Sequence, residues 1–235
     1  MPSYSQECII KESIMNIKML KAAVAGLVLS VSGFANAGLI EHISNGDFET
    51  GDFTGWNVVN TGSGSWNIND GTFGTAFGTN QSIGGLYDVV STQAGPGFHN
   101  LYQDVLLSNS FDSLILSWDD RIQSNAPFSD PNQEWRVLIE DITGSLIYEV
   151  YSTDPGDTNP QVGPNLRSYD LTSTLSSYAG QNIRVSFEQQ DNAANFSATL
   201  DNVSFTSTVN VPEPSTLAIF ALGIMGLASR RFKKQ

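Results

Sequence analysis

Apolar and polar residues alternate with a period of two through the middle of this chain, which is the pattern of half-buried β-strands. In segment 113–119, for example, Leu114, Leu116 and Trp118 fall on one face. Helical periodicity is weak throughout, so strands follow one another without helices between them. This pattern predicts an all-β fold, a β-sandwich of jelly-roll type. Besides 113–119, strands are predicted over 135–141, 146–151, 183–188 and 200–205.

Turn-forming residues separate these strands. Thr143-Gly144-Ser145 predicts a short hairpin turn. Segments 122–133 and 154–167 are predicted to be polar, proline-containing loops, and the glycine-rich segment 60–100 is predicted to be irregular with short strands. Loops on a rigid scaffold are where binding residues tend to lie.

Both ends of the chain differ from this body. After Met15, the predicted start, Lys18 and Lys21 precede an apolar run over 22–34. Ala35-Asn36-Ala37 then forms a small-residue cleavage site, so residues 1–37 are predicted to be a signal peptide and Gly38 the first mature residue. The expected partner at this site is signal peptidase. The body, 38–210, is long enough for one domain with its own core.

The other end has three parts in a fixed order. Val211, Pro212, Glu213 and Pro214 precede an apolar run over 216–229, and a basic cluster follows it. Together they resemble the PEP-CTERM sorting tail of Gram-negative bacteria. The resemblance implies a short transmembrane helix at 216–229, transient inner-membrane anchoring and cleavage by an exosortase-type enzyme. The mature protein would then reach the cell surface or the extracellular matrix. A simple C-terminal anchor is the alternative.

The charge of the body restricts its partners. Residues 38–210 contain 21 acidic side chains, four arginines and no lysine. Such a surface repels nucleic acid and anionic lipid, whereas divalent cations and neutral sugars are acceptable partners. The one cysteine, Cys8, lies in the predicted signal peptide, so no disulfide is expected in the domain.

The two ends of the body carry a second resemblance. Asn45-Gly-Asp-Phe-Glu-Thr-Gly-Asp-Phe-Thr-Gly-Trp56 and Leu200-Asp-Asn-Val-Ser-Phe205 are similar to the opening and closing strands of galactose-binding-like jelly rolls, which include many carbohydrate-binding modules. The resemblance implies a structural calcium ion held by Glu49, Asp201 and the carbonyl of Asp47. The alternative is that both carboxylates are solvated or hydrogen-bonded turn residues.

No catalytic motif is found around His42 or His99, the two histidines, and a non-catalytic protein is expected. The predicted function is carbohydrate binding in the exopolysaccharide or biofilm matrix. A structural or adhesive matrix protein without a sugar site, or a secreted hydrolase, is the alternative. Sugar recognition uses aromatic platforms and planar polar groups, and the candidate ligand-binding residues are Trp66, Tyr87, Asp119, Asp120 and Arg121.

Overall fold

The computed structural model describes residues 37–93 and 95–210. Residues 39–209 form a compact unit. Ala35, the sorting residues Val211, Pro212, Glu213 and Pro214, and the predicted helix 216–229 all lie outside the described residues. Within the described ranges, no helix is long and apolar enough to cross a membrane.

The regular secondary structure of the described residues consists of β-strands, apart from one short 3₁₀ turn at Ser176–Tyr178. In chain order the strands are β1 (Ala37–Glu41), β2 (Asn57–Gly62), β3 (Ser65–Asn69), β4 (Phe73–Thr75), β5 (Gly78–Asn80), β6 (Asp88–Gln93), β7 (Gly97–Leu106), β8 (Ser113–Ser124), β9 (Gln133–Glu140), β10 (Leu146–Ser152), β11 (Gln161–Asp170), β12 (Asn182–Asp191) and β13 (Phe196–Asn210).

Two antiparallel sheets form the sandwich. Sheet A has the strand order β11-β8-β13-β6-β3, with β1 also paired to β13, and sheet B has the order β10-β9-β12-β7-β2. Strands β4 and β5 form a separate hairpin. Because β6, β7, β8 and β9 alternate between the sheets, as β10 to β13 do, the predicted all-β, jelly-roll sandwich is confirmed.

The core lies between the sheets and is rich in aromatic rings. Trp118 from sheet A and Trp135 and Phe187 from sheet B are fully buried. The rings of Trp118 and Phe187 meet edge to face at 5.8 Å. The alternation had assigned Trp118 and Trp135 to faces shared with leucine and valine, and their burial confirms this.

The motif that resembles an opening strand is instead a loop. Residues 45–56 lie between β1 and β2, with Asn45 (φ 50°) and Phe48 (φ 52°) in the left-handed region. Phe48 and Trp56 are buried, their rings 5.5 Å apart, and the Trp56 indole N–H donates to the Asn45 carbonyl at 2.9 Å. The motif therefore closes one part of the core, because the turns of the loop direct its apolar residues Phe48 and Trp56 inward.

Two loop predictions are wrong in part. Strand β8 continues to Ser124, so residues 119–121 lie within a strand rather than at its end. Strand β11 covers 161–170, within the predicted loop 154–167 and beyond it. In both cases pairing with a neighbouring strand orders a polar segment that has weak β propensity. Segment 60–100 contains short strands as predicted, and two of them, β3 and β6, belong to sheet A.

Candidate functional site

The outer face of sheet B carries a dense set of polar and aromatic side chains. Strands β7, β9 and β12 lie side by side in this sheet, and Leu101 and Phe187 point into the core. Because side chains alternate along a strand, the residues next to them point outward. The strand register places Glu188 between Arg136 and Asn100 on this outer face.

Five of these side chains form one connected group, which we call the Arg136 network: Glu134, Arg136, Glu188, Asn100 and Ser186. The Ser186 hydroxyl donates to Asn100 Oδ1 at 2.8 Å, and Asn100 Nδ2 donates to Glu188 Oε1 at 3.1 Å. Arg136 Nε donates to Glu188 Oε2 at 2.6 Å. Arg136 Nη1 lies 3.6 Å from Glu134 Oε2, an ion-pair distance too long for a hydrogen bond. The network orients planar polar groups in advance of any ligand.

The carboxylates of this network are shielded although they lie on an outer face. Glu134 and Glu188 are only 3% and 4% exposed. Burial raises the pKa of Glu134 to about 7; Arg136 opposes the shift, and the negative charges of Asp130, Glu149 and Glu188 add to it. A carboxyl group in this state can accept or donate a hydrogen bond near neutral pH.

Strand β7 adds an aromatic strip beside the network. Phe98, Asn100 and Tyr102 occupy successive outward positions, about 7 Å apart. The Arg184 guanidinium lies 3.7 Å from the centre of the Tyr102 ring, and Arg184 is held in place by Asp104 at 2.7 and 3.2 Å. The Asn100 amide can form hydrogen bonds with hydroxyl groups of a ligand. The rings of Phe98 and Tyr102 on either side of it can contact the C–H groups of the same ligand.

Two of the five predicted ligand-binding residues point into the sandwich. Trp66 is 4% exposed and packs against Trp135 with ring centres 5.8 Å apart, so the expectation that it is exposed is wrong. Asp120 is fully buried, and accepts hydrogen bonds from Trp118 Nε1 and Arg167 Nε, both at 2.9 Å. Both face inward because alternation along β3 and β8 puts them on the core side.

None of the other three belongs to the Arg136 network. Asp119 and Arg121 are on the outer side of sheet A, and Tyr87 is half-buried in the loop before β6. Arg121 donates to Asn80 Oδ1 at 2.7 Å and to the Val162 carbonyl at 3.0 Å. A cavity of about 220 Å³ lies beside it, under the β4–β5 hairpin. Ligand binding by these three residues stays a prediction.

Two of the three predicted calcium ligands, Glu49 and Asp201, bind the backbone of one loop, residues 83–87. Glu49 Oε1 accepts the backbone N–H groups of Leu86, at 2.7 Å, and of the next residue, at 3.0 Å. Asp201 Oδ2 accepts the N–H of Gly84 at 2.8 Å. Asp47, two residues before Glu49, is exposed, and its Oδ1 accepts the N–H of Glu49 at 3.4 Å. The two carboxylates thus anchor the loop from either side.

The region around the loop 83–87 contains several acidic side chains close enough to repel one another. Burial raises the pKa of Asp201 to about 7, and the charges of Asp88 and Asp119 add to the shift. Burial also raises the pKa of Asp88 to about 6. Carboxylate and carbonyl oxygens are the ligand type that Ca²⁺ prefers. However, no three acidic, histidine or cysteine side chains form a metal-binding group in 37–93 and 95–210.

Sequence reasoning missed strand β7 and with it the aromatic strip. The signal was present, because apolar Leu101 and Val105 alternate there with outward Asn100, Tyr102 and Asp104. Glycine-rich sequence before residue 98 obscured it. The alternation had put Arg136 and Glu188 on polar faces, but it could not show that two separate strands bring them together.

Comparison with known proteins identifies the C-terminal tail. The family model of the PEP-CTERM protein-sorting motif matches residues 210–234. The chain carries a PEP-CTERM sorting motif. This confirms the resemblance drawn from Val211, Pro212, Glu213 and Pro214, and it marks an exported protein that is anchored transiently in a membrane before release. No curated protein matches the chain.

Solved structures are similar to the sandwich only at low identity. Bacteriophage CBA120 tailspike protein 4, enzymatically active domain, is 11% identical with a TM-score of 0.48, and the match covers 72% of this chain and 22% of the tailspike. The K3 cleaved adhesin domain of Lys-gingipain from Porphyromonas gingivalis is 16% identical, TM-score 0.46, covering 72% and 99%. TmCBM61, in complex with β-1,4-galactotriose, is 13% identical, TM-score 0.45, covering 73% and 99%. Similarity this distant says nothing about function.

Proposed function

We propose that this exported protein binds carbohydrate without catalysis, and that it does so on the outer face of sheet B. The observation that carries the proposal is the aromatic strip of β7 beside the hydrogen-bonded Arg136 network. Tyr102 presents a ring held by Arg184, and Asn100 and Glu188 present oriented polar groups next to it. Preorganised side chains of this kind lower the entropic cost of binding a polar ligand.

The proposed setting is the cell surface or exopolysaccharide matrix of a Gram-negative bacterium. An exosortase-type enzyme would cut near residues 212–214, after signal peptidase has acted before Gly38. Extracellular polysaccharide is then the partner within reach. A structural or adhesive role without a sugar site is the alternative, and binding distinguishes the two.

A glycan array probed with the full chain, followed by titration calorimetry on the best ligand, tests the proposal. We expect Tyr102→Ala to weaken binding about tenfold, which corresponds to loss of one stacked ring worth about 1.4 kcal/mol. Tyr87→Ala, in the loop before β6 and outside the Arg136 network, is the matched variant and should leave affinity unchanged.

The opposite result would move the site to the loop before β6, where sequence reasoning had placed it. Absence of binding across the array would favour the structural role. Turnover of any polysaccharide in a panel of neutral and charged substrates would contradict the expected lack of catalysis.

We also propose a structural calcium ion at Glu49, Asp201 and the carbonyl of Asp47. Bound Ca²⁺ would neutralise the crowded carboxylates around the loop 83–87, and any ligand that binds the folded state alone raises its melting temperature. We expect added Ca²⁺ to raise, and EDTA to lower, the melting temperature, with Glu49→Gln removing the effect. Unchanged melting of demetallated protein on adding Ca²⁺ would leave Glu49 and Asp201 as hydrogen-bonding anchors only.

A further inference from the structure

The outer face of sheet B has more acid than base. Arg184 is paired with Asp104, and Arg136 with Glu188. Three further glutamates lie on or beside this face: Glu140 and Glu149, which form no ion pair with an arginine of the described residues, and Glu134, which shares Arg136 with Glu188 at the longer distance of 3.6 Å. Their mutual repulsion favours a ligand that brings positive charge.

Two of these glutamates have an oxygen without a hydrogen-bond partner. Oε2 of Glu134 and Oε2 of Glu140 are both buried, and neither accepts a hydrogen bond from the residues that the structure describes. The two side chains are only 3% and 6% exposed. A buried acceptor without a donor is costly, and a ligand N–H that reaches it regains that free energy.

The acceptors are spread along the strand rather than gathered at a point. Glu134 and Glu140 lie six positions apart on the outer face of β9, which is about 20 Å. Within 37–93 and 95–210 no three acidic side chains converge as a metal-binding group. An extended ligand with repeated positive groups fits this spacing, and a single metal ion does not.

We propose that the outer face of sheet B binds a polysaccharide that carries protonated amines. The inference rests on the proposed carbohydrate-binding function and specifies its ligand class. An ammonium group donates up to three hydrogen bonds and offsets the surplus of carboxylates, whereas a hydroxyl group donates one hydrogen bond and carries no charge. Uronic acids are disfavoured by the same charges.

Arg136 lies beside one of these carboxylates, 3.6 Å from Glu134 Oε2, and its side chain is 30% exposed. Movement of this side chain would open Glu134 to a ligand. Rotamer changes of this kind are common at binding surfaces.

The titration of Glu134 gives an independent readout. Its pKa of about 7 in the free protein arises from burial, opposed by Arg136 and supported by Asp130, Glu149 and Glu188. A bound ammonium favours the ionised form, so binding at about pH 6 should release a proton from this group. A purely neutral glycan would not change its charge.

Calorimetry with two glycans of equal length and linkage tests the inference on the full chain. The probes are a β-1,4-linked glucosamine tetrasaccharide and its fully N-acetylated counterpart, at about pH 6 in about 150 mM salt, which screens long-range attraction. We expect the amine form to bind about tenfold more tightly. Glu134→Gln and, separately, Glu140→Gln should reduce this preference, and Glu140→Gln, which lies outside the Arg136 network, should leave the affinity for the acetylated form unchanged.

Asp112→Asn is the matched control, because it removes one exposed negative charge beside β13 of sheet A, where the Asp112 backbone N–H donates to the Thr208 carbonyl at 2.8 Å. It should keep both the preference and the proton release, measured by comparing buffers of different ionisation enthalpy. Equal loss in Asp112→Asn would show unspecific attraction and overturn the inference. Equal affinity for the two probes would also overturn it but leave the proposed function intact, and if neutral and amine glycans both fail to bind, both fall.

Discussion

The fully buried carboxylate of Asp120, on β8, links this strand to the neighbouring edge strand β11 of sheet A. It accepts two hydrogen bonds from Arg167, at 2.9 and 3.2 Å, one from Trp118 Nε1 at 2.9 Å and one from Asn165 Nδ2 at 2.9 Å. The guanidinium of Arg167 also lies 4.1 Å from the centre of the Tyr151 ring. A buried ion pair with all its hydrogen bonds made is costly to break on one side, because the other charge is left without a partner.

We therefore expect Asp120→Asn to lower the free energy of unfolding by about 3 kcal/mol, because Arg167 loses its counter-charge. Asp119→Asn, one position along the strand and half-buried, should cost less than about 1 kcal/mol. Urea denaturation of both variants checks this. An Asp120→Asn protein with normal stability and lost glycan binding would restore the sequence-based role of Asp120 as a ligand residue.

At the scale of elements, the loop 45–56 is seated on strand β13. The backbone N–H of Val203 donates to the Gly46 carbonyl at 2.8 Å, where β13 is irregular between Asp201 and Ser204. A β-carbon at Gly46 would lie 1.9 Å from the Val203 carbonyl oxygen. The close approach brings Phe48 into the core, so this glycine is required by packing.

Gly46→Ala should lower the free energy of unfolding by about 2 kcal/mol, because the loop must move away from β13. Gly74→Ala is the control, since a β-carbon there would meet no atom within 4 Å. It should change stability by less than about 0.5 kcal/mol. Equal stability of the two variants in urea would mean that the loop adjusts without disturbing the core.

At the scale of the whole molecule, an acidic sandwich is joined to a sorting motif at 210–234. Residues 38–210 carry 21 acidic side chains against four arginines, and a net charge far from zero favours solubility. The same charge favours neutral or cationic partners, as the proposed function requires. The proposed glycan face and the sorting motif thus agree on where the protein acts.

Intact mass of the protein from its native host, in medium and in membrane fractions, checks the processing at both ends. We expect a soluble species that begins at Gly38 and ends near residues 211–214. A membrane-bound species that retains the chain through Gln235 would contradict exosortase cleavage and indicate a simple anchor.

Local sequence patterns were enough to predict the all-β class, the sorting motif and the inward faces of Trp118 and Trp135. These properties depend on the order of residues along the chain, which alternation and short motifs record directly. Other features depend on packing between distant segments. This packing turned the opening motif into a loop that closes one part of the core and buried Trp66, because only packing shows which face of a strand is covered.

The candidate site on sheet B is one of the features that depend on packing between distant segments. Arg136, Glu188 and Asn100 come from three strands that are distant in sequence, and only the sheet register makes them neighbours. Alternation could assign each to a polar face, but it could not tell which strands lie side by side. A site built across strands is a property of the sheet, and its chemistry arises when the strands pair.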